Sequence, residues 1–195
     1  MVHHSTPPCA QIIVVVGGVR SGKSRFALQC AEGLGPRRGF IATAQAFDDE
    51  MTERITRHRQ ERDASYTTVE EPIELAQALA GFGTEPVDVV VVDCLTLWLS
   101  NLLLKEESFA QIEARLEAVI AVLEQRAFHT ILISNEVGMG VVPPSALGRQ
   151  FRDLAGLTHQ RLGRCADALY GAMFGVVMRL KPGPIELVSS HRSAS

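Results

Sequence analysis

The stretch that most restricts this chain is Gly17-Gly18-Val19-Arg20-Ser21-Gly22-Lys23-Ser24, which fits the pattern G-x-x-x-x-G-K-[ST]. Its surroundings fit as well. The apolar run Ile12–Val16 reads as a buried strand before it, and Lys23–Glu32 reads as a helix after it. Each residue type in such a loop has a task. Glycines let successive backbone N–H groups turn inward and form a cradle for an anion. The N-terminus of the following helix adds partial positive charge. Lys23 can reach the β- and γ-phosphates of a nucleotide, and the Ser24 hydroxyl can bind Mg2+. The plain alternative is a glycine-rich strand–helix turn with no ligand. A phosphate loop also needs a carboxylate to help hold the metal. Val89-Val90-Val91-Val92-Asp93 supplies an apolar strand ending in one.

The rest of the chain alternates strands with helices. Phe40–Ala42, Tyr66–Glu70, Val87–Val92, Thr130–Ile133 and one or two segments within Ala168–Leu180 read as strands. Several are apolar on both faces, as in a parallel sheet covered on both sides. Asp48–Arg62, Pro72–Ala80, Leu95–Leu104, Phe109–Arg126 and Ser145–Cys165 read as helices. Acidic Asp48, Asp49 and Glu50 suit a helix N-terminus, and Pro72 suits a first helical position. Ile112, Leu116, Val119, Ile120 and Leu123 form one apolar stripe. The expected fold is α/β, a P-loop NTPase of RecA-like type. A mostly parallel central sheet is flanked by helices, and a short, antiparallel C-terminal strand follows the turn Pro182-Gly183-Pro184. At 195 residues one core suffices. We expect a single nucleotide-binding domain over residues 11–188, with disordered tails at 1–10 and 189–195.

Composition narrows the function classes. A formal net charge of −3 gives no sign of a nucleic-acid partner. Lysine occurs only at positions 23, 105 and 181, so the guanine-reading N-K-x-D motif of regulatory GTPases is missing. Cys9, Cys30, Cys94 and Cys165 form no C-x-x-C pair and no zinc spacing, and read as free thiols. No stretch is apolar and long enough to span a membrane, and residues 1–10 lack the pattern of a secretory signal. The expected location is the cytoplasm.

Three further segments bear on the reaction. In Asp48–Arg62, helical spacing puts Met51, Ile55 and His58 on one face, with Arg54 and Arg62 a turn to either side of His58. A histidine so flanked, beside a triphosphate, could attack phosphorus or relay a proton. Periodicity alone favours a solvated charged helix whose apolar stripe includes a histidine. The second segment is Asp93–Leu103. The third is Asn135–Pro143 with Arg149, Phe151, Arg152 and Asp153. Asn135-Glu136 falls just past a strand, where open α/β sheets bind ligands. An ordinary strand–loop–helix connection with a surface salt-bridge set is the alternative.

Together these segments resemble the bifunctional adenosylcobinamide kinase / adenosylcobinamide-phosphate guanylyltransferase family of cobalamin synthesis, over about Ile12 to Lys181. The resemblance implies two reactions. The hydroxyl of the aminopropanol arm of adenosylcobinamide is phosphorylated by ATP or GTP. GMP is then taken from GTP onto a histidine and passed to the phosphorylated substrate, giving adenosylcobinamide-GDP. The family's guanylylated histidine corresponds to His58. Its nucleotide contacts correspond to Gly17, Gly18, Val19, Arg20, Ser21, Gly22, Lys23, Ser24, Thr43, Ala44, Gln45, Arg59, Gln60, Glu61, Arg62, Glu70 and Asp93. Mg2+ would be held by Ser24 and Asp93, with Lys23 and His58 as the catalytic pair. The resemblance also implies a homo-oligomer, often a trimer, with small-molecule substrates and no nucleic acid. Family members commonly carry Asn-Gln where this chain has His159-Gln160, and often a proline after the residue corresponding to Arg62. Two other readings remain: a small-molecule kinase without nucleotidyl transfer, and a non-enzymatic nucleotide-binding regulator.

Overall fold

Four consecutive valines, Val89–Val92, are all fully buried. A strand with β-branched side chains on both faces has no side left for water, so it must lie inside a covered sheet. The computed structural model describes residues 10–45, 65–84 and 86–190 and places this strand there. Among these residues the strands are β1 Ile12–Gly17, β2 Arg38–Ala42, β3 Tyr66–Glu70, β4 Val89–Asp93, β5 His129–Asn135, β6 Ala168–Met173, β7 Val176–Lys181 and β8 Glu186–Ser190. They form one sheet in the order β3-β2-β4-β5-β1-β6-β7-β8. The first six are mutually parallel. β7 and β8 are antiparallel to their neighbours, so the chain ends in two antiparallel pairings rather than one. The expected domain limit at residue 188 falls inside β8.

The helices are α1 Lys23–Leu34, α2 Leu75–Phe82, α3 Leu95–Leu104, α4 Phe109–Glu124 and α5 Ala146–Cys165. The strands' period of two divides the core into layers. On one face Phe26, Ala27 and Ala31 of α1 pack on Ile13, Val15, Val89, Val91, Ile131 and Ile133. On the other, α2 to α5 cover Ile12, Val14, Ile41, Val90, Val92 and Leu132. α3 has a mean composition apolar on nearly every side, and it is buried accordingly.

Several boundaries differ from the sequence reading, each for a local reason. Asp88 stays outside β4 because its carboxylate accepts the Arg37 N–H at 2.9 Å and the Arg37 Nε–H at 3.0 Å. α2 starts at Leu75, not Pro72, because Glu71 Oε1 accepts the N–H groups of Ile73 and Glu74 and closes a turn first. α4 ends before Arg126, whose φ of 54° lies in the left-handed region. Ser145 is a cap rather than a helical residue, its Oγ accepting the Gly148 N–H at 3.1 Å. β3, not among the runs apolar on both faces, is an edge strand, exposed from Thr67 to Glu70. The helix expected over Asp48–Arg62 lies outside the described residues.

Candidate active site

Parallel pairing aligns the carboxyl ends of β2, β4, β5 and β1 along one edge. Ala42 is in register with Asp93, Asp93 with Ile133, and Gly17 with Asn135. In open α/β sheets this is the edge that binds ligands.

The phosphate loop leaves β1 there. Gly22 has φ 89°, a left-handed conformation that glycine adopts without strain, and it turns the chain into α1. Arg20 also holds positive φ, at 56°, although it carries a Cβ. Such residues cost about 1–3 kcal/mol and persist where the surroundings over-determine them. Lys23 is buried, and its Nζ donates to Gly18 O at 3.2 Å, folding the ammonium back over the loop. The Ser21 hydroxyl is buried and has no hydrogen-bond partner among the described residues. Gly18, Val19 and Arg20 are exposed, and Ser24 is half-buried at the start of α1.

Asp93 ends β4 two strands from β1. Burial first, and then the Asp93 charge, push the Cys94 thiol up to about 11, while the Lys23 charge acts in the opposite direction. One thiol thus feels both the loop lysine and the β4 carboxylate. Cys94 itself is a protonated thiol at neutral pH and no nucleophile. Ser24 and Asp93 offer a hydroxyl and a carboxylate for Mg2+. This sparse set suits Mg2+, which prefers one or two carboxylates plus phosphate oxygens and water. No cluster of three His, Cys, Asp or Glu that could cage a metal occurs among the described residues.

Thr43, Ala44 and Gln45 follow β2. Thr43 is fully buried, and its hydroxyl donates to Cys94 O at 2.7 Å and accepts the Cys94 N–H at 2.8 Å. That hydroxyl is fully engaged in fixing the β4 exit; Ala44 and Gln45 are half-buried beside it. Glu70, on the edge strand, pairs in register with Ala42 and is exposed. His58, Arg59, Gln60, Glu61 and Arg62 lie outside the described residues.

Further residues hold this edge, within the segments Asp93–Leu103 and Asn135–Pro143 that the sequence singles out but to which it assigns no contact. Asn101 of α3 donates from Nδ2 to Thr43 O at 2.8 Å and to Pro72 O at 3.1 Å. Asn135 Nδ2 donates to Thr96 Oγ1 at 3.0 Å. Thr96 and Asn101, polar and buried within the largely apolar α3, were the available signal. His159 of α5 also enters: its Nε2 lies 2.7 Å from Ser134 Oγ, and its Nδ1 lies 3.6 Å from Glu136 Oε2. Among the described residues Arg149 makes no ion pair; it donates to Pro143 O and Pro144 O. Arg152 and Asp153 are 3.9 Å apart, a marginal pair.

A phosphate loop, a β4 carboxylate and a polar β5 exit therefore share one edge. The sequence model of the family described as cobinamide kinase / cobinamide phosphate guanyltransferase matches residues 13–180. The chain belongs to this family. The match to the cobinamide kinase / guanyltransferase family begins in β1 and ends in β7, so it includes every edge residue described above. The chain is 41% identical over 172 residues to the bifunctional adenosylcobalamin biosynthesis protein CobP of Pseudomonas aeruginosa, covering 88% of this chain and 98% of that protein. It is 35% identical over 182 residues to the bifunctional adenosylcobalamin biosynthesis protein CobU of Escherichia coli K12, covering 87% and 99%. In three dimensions it resembles the RadB recombinase, with a TM-score of 0.50, 17% identity and coverage of 87% of this chain and 79% of that one. At that identity the likeness concerns the fold alone, a P-loop NTPase fold of RecA-like type.

Proposed function

We propose that this chain phosphorylates the hydroxyl of the aminopropanol arm of adenosylcobinamide with ATP or GTP, and then transfers GMP from GTP to the product, giving adenosylcobinamide-GDP. The observation that carries the reading is the buried Lys23 folded over a phosphate loop, with Asp93 two strands away on the same edge. Membership of the cobinamide kinase / guanyltransferase family supplies the substrate class.

In the first step the acceptor oxygen attacks the γ-phosphorus, the bond to the β–γ bridging oxygen breaks, and a nucleoside diphosphate leaves. In the second, a ring nitrogen of His58 attacks the α-phosphorus of GTP and pyrophosphate leaves. The phosphate of the acceptor then displaces the imidazole, and His58 is restored. A neutral imidazole is a good nucleophile and phosphohistidine a good donor. Gly17 to Ser24 cradle the phosphates, and Lys23 offsets charge that develops in both transition states. Mg2+, held by Ser24 and Asp93, would supply electrostatic stabilisation of the phosphates. Thr43 to Gln45, Arg59 to Arg62 and Glu70 complete the nucleotide contacts in this reading. No described helix is long and apolar enough to cross a membrane. We propose a cytoplasmic homo-oligomer, with the trimer as the form to test by light scattering.

Incubation with α-labelled GTP should leave an acid-labile, base-stable label on the protein. His58→Ala should abolish that label and leave phosphorylation of adenosylcobinamide measurable. Lys23→Ala should lower both reactions by about 10²-fold or more. Normal labelling of His58→Ala would remove the covalent role. Phosphorylation without any label would mean a simple kinase, and nucleotide binding without cobinamide-dependent turnover a regulator.

A further inference from the structure

Phosphorylating an alcohol releases a proton, and a positioned base at the acceptor oxygen typically accelerates such a step by 10²–10⁴-fold. Among the described residues, the carboxylates at the exits of β4 and β5 are Asp93 and Glu136. Asp93 is the metal-side group in the reading above. Glu136 leaves β5, the direct neighbour of β1, and its backbone N–H donates to Gly17 O at 3.1 Å. It is therefore tied to the first residue of the phosphate loop. Its side chain is half-buried, open enough for a substrate to reach.

That carboxylate is also aimed. Oε1 accepts the Gly138 N–H at 2.6 Å, and Oε2 faces Nδ1 of His159 at 3.6 Å. On the far side of the ring, Nε2 lies 2.7 Å from Ser134 Oγ. A ring protonated at Nδ1 turns its N–H toward the carboxylate and leaves Nε2 to accept from the Ser134 hydroxyl. One tautomer satisfies both contacts. Burial holds the His159 pKa below its ordinary value, against the pull of Glu136, so the ring is neutral at physiological pH. A neutral ring orients Glu136 without drawing it into a full ion pair, which would weaken it as a base. The order serine–histidine–glutamate matches that of a hydrolase triad, but Ser134 is fully buried and no acyl substrate can reach it. The serine is the anchor, and the exposed end of the relay is the carboxylate.

We infer that Glu136 is the general base of the kinase step and that His159 is a positioning residue that aims it from α5. The acceptor O–H proton passes to a Glu136 oxygen as the O–P bond forms and the β–γ bridging bond breaks, and the nucleoside diphosphate departs. The inference rests on the kinase half of the proposed function. It assigns no part to Glu136 in attack by His58, where no hydroxyl is deprotonated.

The test measures phosphoryl transfer from ATP to adenosylcobinamide beside self-labelling by α-labelled GTP, with a thermal melt on each variant. Glu136→Gln should lower kcat for phosphoryl transfer by about 10²-fold or more, with the KM for ATP little changed. The loss should fall at least about tenfold more heavily on phosphoryl transfer than on self-labelling. Glu136→Asp, which keeps a carboxylate one methylene back, should be faster than Glu136→Gln. His159→Ala should lower kcat rather than raise KM, and His159→Asn, whose amide can still donate to Glu136, should recover most of it. Wild-type kcat in Glu136→Gln, equal loss of both reactions, or Glu136→Asp no better than Glu136→Gln would overturn the assignment. If the unsubstituted protein phosphorylates no cobinamide, the kinase reading itself fails, and that is seen before any variant is made.

Discussion

Gly17 leaves no room for a side chain. A Cβ added there would lie 2.4 Å from Ala172 O, 2.7 Å from Ser21 Oγ and 2.9 Å from Ala172 Cβ. The carbonyl belongs to β6, in register beside Gly17, and cannot swing aside. Gly17→Ala should therefore destabilise the fold by about 1–3 kcal/mol and displace the phosphate loop. A lower Tm and weaker ATP binding by calorimetry are expected; unchanged affinity would show that the loop tolerates the shift. His159 gives a second expectation at this scale. Its pKa is lowered from 6.5, by burial foremost. Below that ordinary value the unfolded chain takes up a proton that the folded protein refuses. Stability therefore falls as pH drops from 6.5 toward the folded pKa. Thermal melts from about pH 7 to about pH 5 should show a flatter slope for His159→Asn than for the unsubstituted chain. Equal slopes would mean that the ring is not the group responsible.

At the scale of elements, the segments that follow β2 and β3 are tied by a buried amide from the largely apolar helix α3. Asn101 is buried and holds two carbonyls, those of Thr43 and Pro72. Asn101→Leu leaves both bare, at about 1–3 kcal/mol each. By contrast, Arg161 of α5 pairs with Glu113 and Glu117 of α4 at a half-exposed surface. Arg161→Ala should cost no more than about 1 kcal/mol. Denaturant melts that ranked the two variants the other way would refute this. The contrast also explains what the sequence reveals. Val89–Val92 and Ile12–Val16 announce strands because no face is left for water, and α3 can be bounded correctly because its apolar run is long enough for a helix. β3 reads weakly because, as an edge strand, it is under little demand to be apolar. The phosphate loop is legible because its chemistry is local. The Thr43, Asn101 and His159 contacts are not, since they join residues 51, 58 and 25 positions apart. Only the sheet order brings those partners together.

Across the whole molecule the two edges of the sheet have different tasks. The carboxyl edge holds the phosphate loop, Asp93 and Glu136. The amino edge is stitched for stability. Asp88 takes the Arg37 N–H and guanidinium, and its backbone carbonyl accepts the His129 N–H at 2.9 Å. Asp167 accepts the Ile12 N–H at 2.7 Å and pairs with Arg126, which also donates to Ala10 O at 2.9 Å. These contacts join the starts of β1, β2, β4, β5 and β6. The Arg37 hydrogen bond foremost holds the Asp88 carboxyl below its ordinary 3.8. For Asp167 burial is the largest single effect and pushes upward, but Arg126 and the Ile12 N–H together outweigh it, and the net shift is down. A depressed carboxyl pKa gives stability that is present above 3.8 and lost as pH falls through the folded value. Acid unfolding should thus have two limbs: a shallow one below 6.5 from His159, and a steeper one below 3.8 from the amino edge. Asp167→Asn should flatten only the lower limb. Because it lies on the edge away from the phosphate loop, it should leave kcat for cobinamide phosphorylation as it was. A change in kcat without a change in the lower limb would show that the two edges are not separate in this way.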